Sequence, residues 1–382
     1  MRKCICSILL LCWLLPILPA KAAPAGPEVG GKSVLLMDVA TGTVLYEKNS
    51  HEKLPPASVT KVMTMLLIME ALDDGRIHLD DPVTASEAAA AKGGSQIYLK
   101  VGESMSVSDM LKSIAVSSAN DAACAMAELL AGSEAAFVSQ MNQRAQELGM
   151  ADTHFVNCTG LDDSPEAKDH LTSAHDIALM SRQLLKYHPK IKEFTTIWMD
   201  TVRGGSFGLS NTNKLVRFYT GATGLKTGFT SAAGFCLSAS AQRDGMELVA
   251  VVLGAGSSQE RFSACKQLLD YGFANFSLLQ PKPDRVYSVP VRLGTQEFVT
   301  AVPAEDLTLL LDKAQRKDVR IQISLEQQLT APVSQGQKLG TMTVYYQEQI
   351  LHQVNMVAEQ SVQNLQWWQI FLSLLRKVCL GR

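Results

Sequence analysis

The order in which strands and helices recur along this chain limits its fold more than any other feature. Val34-Leu-Leu-Met-Asp-Val39 and Thr43-Val-Leu-Tyr-Glu47 flank Ala40-Thr41-Gly42, the pattern of two strands joined by a turn. Strand-like runs return only at Gly221–Thr230, Phe235–Ala241 and Met246–Leu253. The last is almost continuously apolar, as expected of a central strand covered on both faces. Between the two groups, Pro55-Pro56-Ala57 ends the extended region, Ser58–Leu72 predicts a strongly apolar helix, and Leu79–Lys186 is mainly helical. Ser118 and Ser173 stand where N-caps are expected, at the heads of Ser118–Ala131 and Ser173–Leu185. Distant strands that share one sheet, with helices between them, predict an α/β (α+β) domain in which an antiparallel sheet is flanked by helices.

Near Pro281-Lys-Pro-Asp284 the pattern changes to short alternating runs, Val286–Val291, Leu307–Leu311, Val319–Ser324, Gly340–Tyr346 and Gln353–Ala358, separated by Gly, Pro or charged turns. This predicts a small all-β sandwich over residues 284–360, after a larger domain over 23–283. The two ends differ again. Met1-Arg2-Lys3, the apolar run Cys4–Leu18 and the small-x-small site Ala20-Lys-Ala22 predict a secretory signal peptide over residues 1–22. In the tail, residues 361–382, Gln363, Gln366, Gln369, Ser373, Arg376 and Lys377 form a polar stripe opposite Leu365, Trp367, Trp368, Phe371, Leu372, Leu374, Leu375 and Val378. Such a helix suits the membrane interface, with Trp at headgroup depth. The expectation is an exported protein held peripherally on the outer face of the cytoplasmic membrane.

Charge and cysteine usage narrow the chemistry. Thirty-five Lys plus Arg against 37 Asp plus Glu, with no basic block, argue against nucleic acid as a partner. Cys4, Cys6 and Cys12 fall in the signal, and Cys124, Cys158, Cys236, Cys265 and Cys379 are odd in number and widely spaced, so no disulfide framework is expected. No metal-ligand spacing is present, and neither metal nor cofactor is expected.

Ser58-Val-Thr-Lys61 opens the first helix, and three residues is just under one turn, so the Lys amine can fold back onto the Ser hydroxyl. A serine nucleophile needs a base, and a lysine serves only when desolvation or a second cation lowers its pKa. Ser50-His-Glu-Lys53 has the same spacing but runs into Pro55-Pro56, so the spacing alone is weak. Ser118-Ala-Asn120 and Lys226-Thr-Gly228 strengthen it. Ser118 can pass protons, Asn120 can hold a substrate amide, and Lys226 brings a charge that would depress Lys61 and attract a carboxylate. Gly228 lets a substrate backbone lie against the strand. Asp169 and His170 invite a triad reading, which a Lys-based route does not need.

In the order SxxK, SxN, KTG, these motifs resemble those of penicillin-binding proteins and serine β-lactamases. The surrounding text is similar to the low-molecular-weight D-alanyl-D-alanine carboxypeptidases, in Pro56–Thr64, Gly94–Glu103, Ser118–Ala123, Lys226–Thr230 with Ala233–Leu237, Val252–Gly254 and Glu260–Phe262. Ala331-Pro-Val, Gly336–Gly340 and the amphipathic tail extend the resemblance over nearly the whole chain. It implies release of the terminal D-Ala from peptidoglycan stem pentapeptides through an acyl-enzyme, with β-lactam antibiotics as covalent inhibitors. Ser58 is then the nucleophile, Lys61 the base, Ser118 the proton relay and Asn120 the substrate holder. Lys226 and Thr227 face the substrate carboxylate, Arg261 is either a further partner of it or a surface residue at a helix start, and the backbone N–H groups of Ser58 and Phe229 form the oxyanion hole. Phe229 stands where some relatives have His, and Thr212 where some have Arg, which shifts carboxylate binding onto Lys226, Thr227 and Arg261.

Two rivals follow from the same motifs. A serine β-lactamase would add a Glu-held water, but Asp162, Asp163, Glu166 and Asp169 show no ExxLN arrangement. A non-catalytic receptor for β-lactams or wall fragments would call for a spanning segment and an output region, and the sequence suggests neither.

Overall fold

The structure, a computed structural model, describes residues 26–380; the expected signal peptide, residues 1–22, lies outside them. Strands β1 (Ser33–Asp38), β2 (Val44–Lys48), β3 (Ala222–Thr230), β4 (Gly234–Arg243) and β5 (Met246–Ala255) form one antiparallel sheet in the order β2-β1-β5-β4-β3. Sequence-distant β1 and β5 pair along their whole length, Ser33 opposite Leu253 and Asp38 opposite Leu248.

Successive side chains of a strand point to opposite faces, and here both faces are covered. Leu35, Met37, Val249, Val251 and Leu253 join a core with the helical region, while Val34, Leu36, Leu248, Ala250 and Val252 pack with Ala264, Cys265, Leu268 and Leu269 of helix α6 (Ser258–Asn275). That explains the uninterrupted apolar run in β5. The helical side holds α1 (Lys61–Asp73), α2 (Val107–Ser117), α3 (Asn120–Ala131), α4 (Glu134–Glu147) and α5 (Ala174–Tyr187). Helix α1 is buried all round from Lys61 to Met69, as a helix without a polar face must be.

Two helix starts depart from the sequence reading. Ser173 caps α5 by accepting the Asp176 N–H, as expected. Ser118 caps nothing: it ends α2 in the left-handed region (φ 65°), and α3 begins at Asn120 after Ala119. Similarly, Ser58 lies in a 3-10 turn, Ala57–Thr60, that leads into α1.

Strand β6 (Phe276–Leu279) follows α6 directly and pairs with β9 (Leu309–Asp312), and Pro281–Pro283 comes just after β6. Strands β7 (Tyr287–Arg292), β8 (Phe298–Pro303), β10 (Val319–Leu325), β11 (Leu329–Thr330), β12 (Lys338–Tyr346) and β13 (Gln349–Ala358) make a six-stranded sheet, order β10-β12-β13-β8-β7-β11. Its inward residues, among them Val289, Val299, Met342 and Met356, form a third core. The tail helix expected from residue 361 starts later, as α7 (Trp367–Leu380). Val362 belongs instead to the β-domain core, bridged to Val333, and the Leu365 N–H donates to the Leu293 carbonyl.

The segment 153–172 is laid across the start of α1. Leu54 and Thr172 exchange backbone hydrogen bonds, and His170 Nδ1 accepts the Val156 N–H, which leaves the proton on Nε2 to donate to Thr60 Oγ1 at 2.8 Å. Thr60 in turn donates to the Ala57 carbonyl at 2.8 Å. His170 is therefore a structural tie, one turn from Ser58, and its ring carries no triad. Burial, with His154 and Lys61 nearby, pushes its pKa down to about 4. In the unfolded chain the imidazole takes its proton near 6.5. Between those values unfolding gains a proton, so stability falls as pH drops from about 6.5 to about 4, by on the order of 3 kcal/mol at the lower end. Denaturant unfolding of the wild type and of His170→Asn across that range should show the steeper acid loss in the wild type; equal slopes would refute the assignment.

Candidate active site

Lys61 sits at the N-terminal end of α1, which is buried from Lys61 to Met69, and has no exposed surface. Its Nζ lies 2.9 Å from Ser58 Oγ and 2.9 Å from the Thr159 carbonyl oxygen. Burial lowers its pKa to about 7, against smaller opposing effects of Cys158 and Asp121. An amine at the positive end of a helix dipole is further disfavoured as a cation. Near neutral pH a large share of Lys61 is thus a free amine, in contact with the hydroxyl whose proton it must take.

The preceding turn is held under constraint. Ala57 is left-handed (φ 48°), a costly conformation for a residue with a Cβ. Gly160 (φ 79°) lies so close that a Cβ there would overlap the Ala57 carbonyl. The Thr159 carbonyl is fixed from behind: Thr64 Oγ1 donates to the Cys158 carbonyl, and the Cys158 N–H donates to Glu134, itself paired with Lys92.

The Ser118–Asn120 turn is fastened on two sides. Asn120 N–H donates to the Ser95 carbonyl and Asn120 Nδ2 to the Gly93 carbonyl, both at 2.7 Å. The buried Asp121 carboxylate accepts the N–H groups of Ile97, Leu99 and Ala122. Asn120 Oδ1 is buried without a hydrogen-bond partner, a free acceptor of the kind a substrate amide N–H would satisfy. On the far side, Thr212 joins the end of α2 to the KTG strand: its N–H donates to the Val116 carbonyl, and its Oγ1 lies 2.6 Å from Thr227 Oγ1.

Strand β3 is the open edge of the sheet and carries Lys226, Thr227, Gly228 and Phe229. Gly228 runs against the nucleophile turn, where an added Cβ would stand 2.7 Å from the Pro56 oxygen and 3.1 Å from Ser58 N. Phe229 is largely exposed and its ring lies 4.4 Å from that of Phe235. Lys226 is buried, its Nζ donating to the Thr227 carbonyl at 2.9 Å. Its pKa falls well below the usual value through burial, then Lys61 and Arg261. The sequence predicts that the second lysine depresses Lys61; burial is the larger cause at Lys61, and the repulsion between the two amines adds to burial at Lys226. Arg261, expected at the substrate carboxylate, directs Nη1 to the carbonyls of Gly228 (2.8 Å) and Cys236 (3.2 Å).

Ser58 and Lys61 are therefore in direct contact, Thr227 is tied through Thr212 to Val116 near the end of α2, and Gly228 lies beside Ser58. Ser50, in the competing SxxK match, donates to Glu47. Four residues were not singled out from sequence as part of this site: Thr159, Gly160, Asp121 and Glu134. Only Gly160, in Asn157-Cys-Thr-Gly160, carried a local signal, that of a turn glycine. Among the described residues no group of His, Cys, Asp and Glu is placed to hold a metal, and Cys124, Cys158, Cys236 and Cys265 are buried free thiols.

Residues 20–257 match the sequence profile of the D-alanyl-D-alanine carboxypeptidases, and residues 276–364 that of the penicillin-binding protein 5 C-terminal domain. D-alanyl-D-alanine carboxypeptidase DacF of Bacillus subtilis is 43% identical over 337 residues, 87% of this chain and 85% of that protein. The crystal structure of penicillin-binding protein 5 from Haemophilus influenzae is 29% identical and superposes with a TM-score of 0.74, covering 89% of this chain and 100% of that one. Penicillin-binding protein D2 of Listeria monocytogenes in its ampicillin-bound form is 33% identical, with a TM-score of 0.59 over 64% of this chain and 98% of that one.

The Lys61 environment predicts a pH profile. Because the reactive form is the free amine, acylation of Ser58 by a β-lactam should rise as pH passes upward through about 7 and level off above it. At one unit below the midpoint the rate should be about tenfold under the plateau. Stopped-flow acylation between pH 5.5 and 8.5 reads this directly, and a flat profile would exclude Lys61 as the base.

Proposed function

The chain belongs to the D-alanyl-D-alanine carboxypeptidase family, and from that premise we propose that it removes the terminal D-Ala from peptidoglycan stem pentapeptides through an acyl-enzyme on Ser58. The observation that carries the reading is the 2.9 Å contact between Ser58 Oγ and a fully buried Lys61. Free Lys61 Nζ takes the Ser58 proton as Oγ adds to the carbonyl carbon of the D-Ala-D-Ala bond. The negative charge that develops on the carbonyl oxygen is met by the N–H groups of Ser58 and Phe229. The C–N bond then breaks, the proton passes from Lys61, with Ser118 as relay, to the amine of the departing D-Ala, and water later hydrolyses the ester. Asn120 Oδ1 accepts a substrate amide N–H, and Lys226 and Thr227 meet the terminal carboxylate. An incoming anion favours the charged form of Lys226 that burial disfavours.

The β-lactamase alternative is weakened by the segment 160–172, in which Asp162, Asp163, Glu166 and Asp169 are all exposed, while Lys61 is bonded to Ser58 and Thr159. A long-lived β-lactam adduct is expected rather than rapid turnover.

Export and membrane attachment complete the proposal. The sequence of residues 1–22 supports export. Helix α7, about 21 Å long at 1.5 Å per residue, is shorter than the ~30 Å hydrocarbon core, and it leaves Trp367, Trp368, Phe371, Leu372 and Leu375 exposed. No single helix among the described residues is long and apolar enough to cross a membrane. Both facts support an interfacial helix, which, together with export, would hold the enzyme on the outer face of the cytoplasmic membrane.

Purified protein incubated with a stem pentapeptide should release free D-Ala. Ser58→Ala should abolish release, Lys61→Ala should reduce it by several orders of magnitude, and Ser50→Ala should leave it unchanged. Activity in Ser58→Ala would overturn the assignment, and many β-lactam turnovers per second would favour the lactamase. Flotation with lipid vesicles should be lost when residues 366–382 are removed, a cut that spares Val362 and Leu365; unchanged flotation would exclude the anchor.

A further inference from the structure

The interior position of Arg261 links it to the reaction by a route other than the substrate carboxylate. Its side chain is 8% exposed, wedged between Phe235 and Phe262, with the guanidinium carbon 5.3 and 4.9 Å from their ring centroids. One nitrogen, Nη1, donates to the carbonyls of Gly228 and Cys236, residues that face each other across β3 and β4. The Gly228 carbonyl belongs to the same peptide unit as the Phe229 N–H.

In a trans peptide the C=O and N–H point in opposite directions. With the Gly228 oxygen turned inward to Arg261, the Phe229 N–H turns outward to the open edge of β3, beside Ser58. A cation bonded to the carbonyl oxygen draws electron density from the amide nitrogen, making that N–H a stronger donor and fixing its direction.

We propose that Arg261 is a positioning residue for acyl transfer, which orients and polarises the Gly228–Phe229 peptide so that the Phe229 N–H stabilises the oxyanion formed when Ser58 attacks. This rests on the acyl-enzyme reading above. Its contribution appears as charge builds on the carbonyl oxygen, so it acts on the rate of acylation and leaves substrate affinity largely alone. Arg261 would serve any acyl donor alike, whether or not the leaving group carries a carboxylate.

The experiment compares wild type, Arg261→Gln and Arg261→Lys on two donors: a stem pentapeptide ending in D-Ala-D-Ala, and an N-acyl-D-alanine methyl ester, whose leaving group has no carboxylate. Arg261→Gln should lower kcat on the order of tenfold or more on both, with KM within about twofold, less than the 100- to 1,000-fold cost of deleting an oxyanion donor. Arg261→Lys, which keeps the charge, should recover part of the loss. In the β-lactam acyl-enzyme, the ester carbonyl stretch should move to higher wavenumber in Arg261→Gln, because a weaker oxyanion hole polarises that bond less. A loss seen with the peptide but absent with the methyl ester, a loss confined to KM, or an unshifted stretch would each overturn the proposal. Failure of the wild type to form any acyl-enzyme would instead overturn the reading on which it rests.

Discussion

The desolvation of one lysine governs the arrangement of the whole catalytic half. A buried ammonium without a matched carboxylate is costly, and the chain meets that cost by letting the amine lose its proton near neutral pH. For that to work, the start of α1 must be central and buried on every side, which requires helices around it and the sheet beside it. The fold is in this sense a device for excluding water from one nitrogen. The acidic group nearest in effect, Asp121, spends its oxygens on three backbone N–H groups of its own and forms no ion pair with Lys61 that would hold the proton on.

Much of this was visible in the residues. The alternation at Val34–Val39 and the continuous run at Met246–Leu253 encode a sheet covered on both sides, and β1 and β5 occupy those segments within one or two residues. The three motifs were legible because each puts unusual chemistry at a fixed local spacing. What stayed hidden depends on contacts between distant segments. The sequence around Thr159 contains no sign that its carbonyl meets Lys61, because the role belongs to the backbone and any side chain would conceal it. Ser118 reads as a cap on local grounds, yet the left-handed turn joining α2 to α3 overrides that preference. Val362 looks like part of a regular amphipathic stripe, and only its partner Val333 reveals that it belongs to the β-domain core.

Arg261 illustrates the same limit from the other side. A basic residue in the first turn of a helix, in a chain whose KTG motif calls for an anion, suggests a ligand for that anion. Its direction was not available, since α6 packs on the inner side of β4 and brings the guanidinium to the back of the strand whose front faces substrate. The division between back and front is set by the peptide plane, so a residue on the hidden side still acts on the exposed one.

The open edge of β3 has a consequence for association. Unpaired strands invite pairing with other sheets, and proteins commonly blunt them with bulges, charge or cover. Here the turn at Pro56–Ser58 lies close against Gly228, near enough that a Cβ there would press on the Pro56 oxygen. The same crowding that sets Ser58 beside Gly228 thus also covers part of an edge that would otherwise be a template for a foreign strand.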